Sequence, residues 1–517
     1  MAGEVRIERP SMALSEFLLL PGKTSEDSTI EKIIANNGLR TPLVKYERGE
    51  KPALMLNRPF LSAAMQAVTG PKMCIALADR GGLGVIYRSQ PVELQAAMVE
   101  EVKSTKAGFV KTDTFSPEHT IADVVARVDE VEGKYSTFPI TDDGTPNGRL
   151  VGLLTRNDYD RDDHRNLKVK ERMVPLDKLV VGIGITDLKS ANRILKERHV
   201  GNLPIIDNDG RLMYMVFKKD LDRHMDNPHQ LTDPDSKQYL VGAAFDTHDF
   251  EERVPALVDA GVDVLFLDTS DAYTHFADKA IRFAVKNFEG IPVVGGNIVT
   301  KEGFAAMVKA GASAVKVGMS SGSICSTRQQ KGVGRGQASA LIDVAEERDS
   351  YFKTHGTYVP IIADGGIVSD TDIIIALALG ADAVMMGRYF AQFEESPTDV
   401  IRKRFELPNG IPVLFNLKPY WGEGSRKAQL WREGRYGHST FEEGIEGFVP
   451  YLGPMKATVE QTVDKIVAAM SNAGCATIRQ LHEKAVVERM SESAITETKP
   501  HDIVSMNLFN PYSSSIF

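Results

Sequence analysis

The sequence predicts an α/β protein, a (β/α)8 barrel with a smaller module inserted in one barrel loop, and three observations predict it. Short apolar runs alternate with amphipathic helical stretches along most of the chain, as in the βα units of a parallel sheet. Eight such runs are found, and polar or glycine residues follow most of them, where barrels of this kind carry their sites. A duplicated segment interrupts the alternation after the second βα unit.

The predicted elements follow in chain order. The first two strands are Pro59–Met65 and Gly84–Tyr87, and the helices after them are Gly70–Arg80 and Val92–Val102. After the interruption we predict the strands Tyr239–Phe245, Val262–Asp268, Val293–Asn297, Ala314–Val317, Val359–Asp364 and Ala383–Gly387. Helices fill the gaps between these strands, for example Phe250–Ala260, Lys301–Ala310 and Asp370–Leu379, and a further helix, Thr458–Ala473, precedes a polar tail.

The interruption, about residues 106–225, contains an internal repeat. The segment Phe138–Gly144 (FPITDDG) is echoed by Leu203–Gly210 (LPIIDNDG), and each copy follows a predicted helix with a threonine upstream, Thr120 or Thr186. A repeated unit of this kind buries one face against its twin. The sequence therefore predicts a separate, duplicated domain carried in a barrel loop.

The two copies resemble a tandem pair of cystathionine-β-synthase (CBS) modules. In that family such pairs often bind adenine or guanine nucleotides, and the aspartate of a Thr-x-x-Asp turn holds the ribose. The resemblance places that role on Asp158, whereas the second copy reads Lys218-Lys219-Asp220 and lacks the threonine. A pair that binds a regulatory purine nucleotide and a structural pair without a ligand both stay open.

Composition places the chain among ordinary globular proteins, with 42% hydrophobic and 25% charged residues. The net charge of −9 argues against a nucleic-acid-binding surface. Three cysteines, Cys74, Cys325 and Cys475, form no disulfide framework and suit a reducing compartment. The N-terminus has no signal-peptide pattern and no apolar run has the length of a spanning helix. We expect a cytoplasmic protein without membrane contact.

The stretch Gly318–Gln337 is the first candidate for chemistry. Cys325 lies in a loop rich in glycine and serine, after the apolar run Ala312–Val317. Glycine tolerates the backbone conformations with positive φ that such loops need. Nearby basic residues favour a reactive thiolate; they are Arg328, Lys331 and Arg335. The loop alone fits a nucleophile and a buried structural cysteine equally well.

Glycine-containing motifs end the last two predicted strands. Asp364-Gly365-Gly366 and Gly387-Arg388 occupy the barrel positions where backbone N–H groups commonly bind phosphate. The guanidinium of Arg388 can donate two hydrogen bonds to a phosphate, and the carboxylate of Asp364 can accept hydrogen bonds from ribose hydroxyls. Glycines that serve only tight turns are the alternative.

Residues Gln392–Pro450 show no sustained helical or alternating pattern, and glycine and proline are frequent there. Because the segment also carries Tyr420–Gly424 (YWGEG) and Arg435-Tyr436, we predict a mobile flap, at about residues 395–450, rather than an unused loop.

These motifs, in this order, resemble those of the inosine-5′-monophosphate (IMP) dehydrogenases. The resemblance rests on Ser323-Ile324-Cys325, Gly334–Gln337 (GRGQ), Ala363–Ile367 (ADGGI), Met385-Met386-Gly387, Tyr420–Ser425 (YWGEGS) and Arg435-Tyr436, and it covers nearly the whole chain. It implies a TIM barrel with an inserted tandem CBS domain. It also implies oxidation of IMP to XMP with NAD⁺ and water, the rate-controlling step of guanine nucleotide synthesis, through a covalent thioimidate on Cys325.

The resemblance also implies a role for each matching residue. Catalytic roles fall on Cys325, Thr327, Arg435, Tyr436 and Glu443. IMP contacts fall on Met65, Asn297, Ser323, Asp364, Gly366, Gly387, Arg388, Tyr420, Gly422, Gly424 and Glu443, and NAD⁺ contacts on Asp268, Thr269, Ser270, Lys316 and Gly318.

A K⁺ ion is implied on backbone carbonyls of the cysteine loop, and this chain departs from the family there. The loop positions are Ser320, Gly322 and Cys325, and Ser320 stands where the family has glycine. The adjacent subunit usually adds Glu-Gly-Gly, which reads Glu497-Thr498-Lys499 here. Either K⁺ still binds, or the ammonium group of Lys499 takes its place.

The resemblance assigns residues 1–105 and 226–517 to the catalytic barrel and residues 106–225 to the CBS domain. It further implies a homotetramer. Two other functions stay open: a GMP reductase, which shares the barrel and the cysteine loop, and a non-catalytic nucleotide sensor built around the CBS pair. Arg435-Tyr436 and Gly334–Gln337 favour the dehydrogenase.

Overall fold

The computed structural model describes residues 10–105, 109–130, 136–185, 187–218, 229–234, 236–406, 412–428 and 442–498 of the 517-residue chain. The chain divides into two compact units. The larger comprises the described parts of Met1–Lys103, His229–Leu231 and Leu240–Phe517, and the smaller those of Ser104–Pro228 and Thr232–Tyr239.

The larger unit contains a closed barrel of eight parallel strands, which confirms the predicted fold class. In chain order the strands are β1 (Phe60–Ser62), β2 (Leu83–Ile86), β3 (Gly242–Phe245), β4 (Val264–Leu267), β5 (Val293–Ile298), β6 (Ala314–Val317), β7 (Ile361–Asp364) and β8 (Ala383–Met386). Each strand pairs with the next, and the barrel closes where Val384 of β8 pairs with Phe60 of β1. Because nearly every strand residue is buried, the strands read as continuous apolar runs.

Helices flank the barrel, and local capping sets their ends. Thr300 accepts a hydrogen bond from the Gly303 N–H at the start of one helix, and Gly311, at φ 107°, ends it. The helices that follow strands are Pro71–Asp79, Val92–Lys103, Phe250–Asp259, His275–Asn287, Lys301–Ala310, Gln337–His355, Asp370–Ala378 and Arg388–Ala391, with the short helix Thr327–Lys331 in the cysteine loop.

Smaller elements complete the larger unit. Three two-stranded antiparallel sheets join Phe17–Leu19 to Val487–Arg489, Thr41–Pro42 to Met55–Leu56, and Tyr46–Glu47 to Thr357–Tyr358. The remaining helices are Ile30–Ala35, Met455–Asn472, Ile478–Lys484 and Glu492–Glu497.

One prediction for the larger unit is wrong. The segment Gln392–Pro450, expected to be irregular, contains a three-stranded antiparallel sheet formed by Ile401–Glu406, Pro412–Trp421 and Glu446–Pro450. The alternating pattern was hidden because Lys418, a charged residue, is buried, while Leu414, an apolar one, is exposed.

The smaller unit repeats one arrangement twice. The first copy has the helix Ile121–Glu130 and the strands Thr137–Thr141, Leu150–Thr155 and Val174–Pro175; the second has the strand Gly182–Ile183, the helix Leu188–Glu197 and the strands Asn202–Ile206 and Leu212–Phe217. Leu150 and Leu153 of the first copy share a buried cluster with Met215 and Phe217 of the second, so the copies bury a common face. Thr186 and Asp220 lie outside the described residues.

No helix in the described part of the chain is long and apolar enough to cross a membrane.

Candidate active site

A cavity of about 710 Å³ opens at the ends of the barrel strands and contains most of the predicted site residues. This is the carboxyl end of the parallel strands, where residues from many loops converge. The predicted residues that line it are Met65, Asp268, Thr269, Ser270, Asn297, Lys316, Gly318, Ser320, Gly322, Cys325, Thr327, Asp364, Gly387, Tyr420, Gly422, Gly424 and Glu443.

Other predicted residues lie elsewhere. Ser323, Gly366 and Arg388 do not line the cavity wall, although each is next to a residue or loop that does. Glu497 ends the helix Glu492–Glu497 and Thr498 follows it, also away from the cavity. Arg435, Tyr436 and Lys499 lie outside the described residues.

The thiol of Cys325 heads a short hydrogen-bonded chain. Its Sγ donates to Thr327 Oγ1 over 3.2 Å, and that hydroxyl donates to Glu443 Oε2 over 3.0 Å. Lys331 Nζ lies 2.5 Å from the other carboxylate oxygen, Glu443 Oε1. Thiol, hydroxyl and carboxylate are thus connected, and Cys325 is exposed to the cavity, unlike the other two cysteines.

Backbone pairing brings Glu443 to the cysteine loop. The N–H of Ser326 donates to the Glu443 carbonyl over 3.2 Å, and the N–H of Ile445 donates to the Ile324 carbonyl over 3.0 Å. These bonds pair Cys325 with Gly444 in an antiparallel bridge. The loop therefore has a fixed partner in a segment more than a hundred residues further along the chain.

The basic residues of the cysteine loop are all engaged. Arg335 pairs with Asp343 at 2.5 Å, and Lys331 pairs with Glu443. Arg328 Nη2 donates to the Arg335 carbonyl over 2.7 Å. The predicted electropositive surroundings of the thiol are therefore balanced by carboxylates that the loop sequence alone did not reveal.

A buried lysine joins the two predicted nucleotide subsites. Lys316 Nζ lies 3.1 Å from Asp268 Oδ1 and 3.1 Å from Asp364 Oδ2, at 1% exposure. Burial alone would lower the pKa of Lys316, but the carboxylates of Asp364 and Asp268 raise it above its ordinary value. The lysine therefore stays charged and bridges the two carboxylates at the cavity wall.

Asn297 lines the cavity and carries one unpaired acceptor. Its Nδ2 donates to the Gly318 carbonyl over 2.8 Å and to Asp364 Oδ2 over 2.9 Å. Its Oδ1 is buried and has no hydrogen-bond partner among the residues that the structure describes. A buried acceptor without a donor is costly, so this orientation of the amide depends on the two hydrogen bonds that Nδ2 donates.

Glycines are required where segments approach closely. A Cβ on Gly387 would lie 2.7 Å from the Tyr420 hydroxyl and 3.1 Å from Met65 Sδ. Gly365 and Gly366 adopt φ of 87° and 74°, the left-handed region that favours glycine. The close approach at Gly387 and the turn after β7 therefore both exclude side chains.

Tyr420 forms part of the wall between the barrel and the antiparallel sheet. It is buried, and burial raises the pKa of its phenol above the ordinary value despite a hydrogen bond with Ser323. The hydroxyl is therefore neutral at physiological pH and able to donate.

The sequence did not lead us to several residues that line the cavity, although some of them closely follow barrel strands and could have been selected on that ground. Arg88 and Asp246 come shortly after β2 and β3, and they pair at 2.6 Å. Arg88 also donates to the Asp268 carbonyl over 3.1 Å. The strand-exit rule that selected Asp268 applies equally to these two residues. Glu423 belongs to a quoted motif but was given no role.

Comparison with known proteins places this geometry in a family. The IMP dehydrogenase / GMP reductase domain matches residues 12–501. An inosine-5′-monophosphate dehydrogenase of Tritrichomonas foetus is 44% identical over 509 residues, which cover 97% of this chain and 98% of the relative. One from Streptococcus pyogenes serotype M3 is 35% identical over 466 residues, which cover 89% of this chain and 91% of the relative.

Solved structures agree on the fold. A crystal structure of a GMP reductase variant from Trypanosoma brucei, in complex with guanosine 5′-monophosphate, superposes with a TM-score of 0.80 and 26% identity. The match covers 96% of this chain and 99% of that one.

Proposed function

The chain belongs to the IMP dehydrogenase / GMP reductase family, and from this premise we propose that it oxidises IMP to XMP with NAD⁺ through Cys325. Relatives that span nearly the whole chain are IMP dehydrogenases, which makes this chain an NAD-dependent enzyme of that kind. The details of its mechanism are our proposal, and so is its place as the rate-controlling step of guanine nucleotide synthesis.

The observation that supports the mechanism is the exposed Cys325 thiol, which is hydrogen-bonded to Thr327, which is in turn hydrogen-bonded to Glu443. The thiol lies in the cavity that most of the predicted ligands line. The thiolate adds to C2 of the purine, forming a C–S bond while the C2=N3 π bond opens and N3 takes up a proton. C2 then loses a hydride, for which NAD⁺ is the acceptor when bound. Water adds to the resulting thioimidate and the C–S bond breaks, which gives XMP and restores the thiol.

Two features support IMP in this cavity. The carboxylate of Asp364, held by Lys316 and Asn297, suits the ribose hydroxyls. Asn297 lines the cavity beside that carboxylate, so a polar amide is next to the same ligand. Around them we assign to IMP Met65, Ser323, Gly366, Gly387, Arg388, Tyr420, Gly422, Gly424 and Glu443.

The NAD⁺ assignment rests on the other carboxylate of the pair. Asp268 shares Lys316 with Asp364 and follows β4, so its loop forms part of the wall of the same cavity. Thr269 and Ser270 follow it along the wall, and Thr269 Oγ1 is held by the Gly296 carbonyl at 3.1 Å. We assign Asp268, Thr269, Ser270, Lys316 and Gly318 to the cofactor.

Hydrolysis requires a group that accepts a proton from water. Glu443, through Thr327, is within hydrogen-bonding distance of the thiol side of the cavity. For Arg435 and Tyr436 we propose the role that the resemblance implies, which is activation of water by the flap. Both residues lie outside the described part of the chain.

The test is an assay with two substrates. Incubation with IMP and NAD⁺ should produce NADH absorbance at 340 nm and XMP. Consumption of NADPH with GMP, without activity on IMP, would show the GMP reductase instead, a second candidate favoured by the superposition on the trypanosomal enzyme.

A monovalent cation on the cysteine loop is a further proposal. Ser320 adopts φ of 60°, a conformation that glycine adopts readily, so the serine keeps a backbone that a glycine could also have at this position. We place the ion on carbonyls of Ser320, Gly322 and Cys325, with Glu497 and Thr498 of an adjacent subunit in a homotetramer. Lys499 replacing K⁺ is the alternative. Strong activation by K⁺ over tetramethylammonium would exclude the lysine.

The smaller unit, residues 106–225 in our assignment, is proposed to bind a purine nucleotide at the CBS pair. Asp158 lies in the turn after Leu150–Thr155, where its carboxylate accepts the Thr155 N–H at 2.6 Å. Titration with ATP and GTP tests this. A chain that binds them but shows no turnover would support the sensor instead.

A further inference from the structure

Three hydrogen bonds connect the end of the antiparallel sheet to the first two barrel loops, and a fourth joins these two loops to each other. Glu423 Oε1 accepts the Gln66 N–H at 2.7 Å, and Oε2 accepts the Ser89 hydroxyl. Trp421 Nε1 donates to Gln66 Oε1 over 3.0 Å, and Gln66 Nε2 donates to the Ser89 carbonyl over 2.8 Å. We call these four residues the Glu423 cluster. None of them has a role in the reaction as proposed above.

Residues of the cluster are adjacent in sequence to residues assigned to the substrate. Gln66 follows Met65, and Glu423 stands between Gly422 and Gly424. Met65 Sδ and the Tyr420 hydroxyl converge on Gly387, where a Cβ would find no room. A shift of the Tyr420–Gly424 segment relative to Met65 would therefore change the distance between Tyr420 and Met65, and with it the shape of the substrate site.

The carboxylate of Glu423 is well suited to prevent that shift. It faces the cavity but is largely removed from solvent. Burial raises its pKa above the ordinary value, opposed by the Ser89 and Gln66 donors and by the charge of Arg88. Each oxygen has one donor from a different loop. Protonation would turn one carboxylate oxygen from an acceptor into a donor, so the hydrogen bond from one of the two loops would be lost.

We propose that Glu423 is a positioning residue for the substrate: in its ionised form it holds the Tyr420–Gly424 segment against the Met65 loop, so that the purine nucleotide stays in register over Cys325. This inference rests on the proposed function, because the register matters only if IMP is the ligand. Glu423 acts through Tyr420 and its neighbours and takes no part in bond making.

The test separates substrate position from thiol chemistry. Iodoacetamide should alkylate Cys325, the exposed thiol, and IMP should protect it, so protection gives the Kd for IMP without turnover. In Glu423→Gln we expect the alkylation rate without IMP to stay within about twofold of wild type and the Kd for IMP to rise at least about tenfold. Glu394→Gln, an exposed carboxylate outside the cavity, should change neither.

The pH dependence distinguishes positioning from simple structural support. The Kd of the wild type should rise as the pH falls towards the raised pKa of Glu423, because protonation removes one acceptor of the carboxylate. In Glu423→Gln this component should disappear. If Glu423→Gln does not fold, Trp421→Phe, which removes the indole donor and leaves a smaller aromatic ring, should raise the Kd for IMP about threefold.

The outcomes are distinct. Failure of IMP to protect the wild type at any pH overturns the proposed function itself. Equal protection of the wild type, Glu423→Gln and Trp421→Phe overturns the positioning role and leaves the proposed function standing. A rise in the Kd for IMP that is confined to the cluster variants, with an unchanged alkylation rate, supports the positioning role of Glu423.

Discussion

At the scale of single residues, accessibility distinguishes Cys325 from the other two cysteines. Cys74 is buried beneath β2, and burial strongly raises the pKa of its thiol, while Cys475 is buried against the C-terminal helices. An inert thiol is what a structural cysteine needs. Only Cys325 combines exposure with a hydroxyl and a carboxylate in line.

Cys325→Ala removes the nucleophile and little else. Turnover should fall at least about 10³-fold, because binding and electrostatic contributions alone remain. The Kd for IMP, measured by calorimetry, should change less than about threefold, since the proposed ligands are untouched. Cys475→Ala is the control. A Cys325→Ala enzyme with near-normal turnover would rule out the covalent mechanism.

Lys418 is a residue whose behaviour no sequence pattern indicated. It is 1% exposed, and its ammonium donates to the Phe393 and Ser396 carbonyls at 2.7 and 3.0 Å. Burial lowers its pKa to about 8, from 10.5. Between these values the unfolded chain holds a proton that the folded one has released, so stability rises with pH over that window.

The prediction for Lys418 concerns the difference in free energy of unfolding between the wild type and a Lys418→Met variant. Relative to Lys418→Met, the wild type should gain free energy of unfolding as the pH rises from about 7.5 to about 10, because the cost of burying the charge disappears. Urea unfolding of the larger unit at several pH values measures this. A difference that stays flat, or falls, would contradict the lowered pKa.

At the scale of elements, the strand Pro412–Trp421 shows what sequence patterns reveal and what they hide. Barrel strands were predictable because burial on both faces makes them apolar throughout. The strand Pro412–Trp421 was not, since it buries Lys418 and exposes Leu414. Asp268 and Asn297 could be selected by following strand ends, but the pairing of Glu443 with the cysteine loop depends on contacts over long sequence separation.

The meeting of this strand with β8 gives an element-scale prediction. Gly387→Ala should place a methyl group 2.7 Å from the Tyr420 hydroxyl, so Tyr420 must move away from the substrate wall. We expect the KM for IMP to rise at least about tenfold and stability to fall by about 1–3 kcal/mol from overpacking. Gly447→Ala, at a position with open space in the same sheet, is the matched control for both measurements.

At the scale of the whole molecule, the chain has separate hydrophobic cores in its two units. The smaller unit has clusters of its own, one around Phe115, Phe138 and Leu154 and one around Phe109, Leu195 and Val216. The barrel core is built from the strands β1–β8 and their helices. Units with their own cores can unfold independently.

Calorimetry should therefore show two unfolding transitions rather than one. IMP binds the larger unit in our proposal, and at about 100 times its Kd it should stabilise that transition alone, by about 2.7 kcal/mol. A purine nucleotide held by the CBS pair should shift the other transition instead. Because each ligand reports on one unit, a single scan series assigns both sites. One merged transition that both ligands shift equally would show that the two units unfold as one, contrary to this division of the chain.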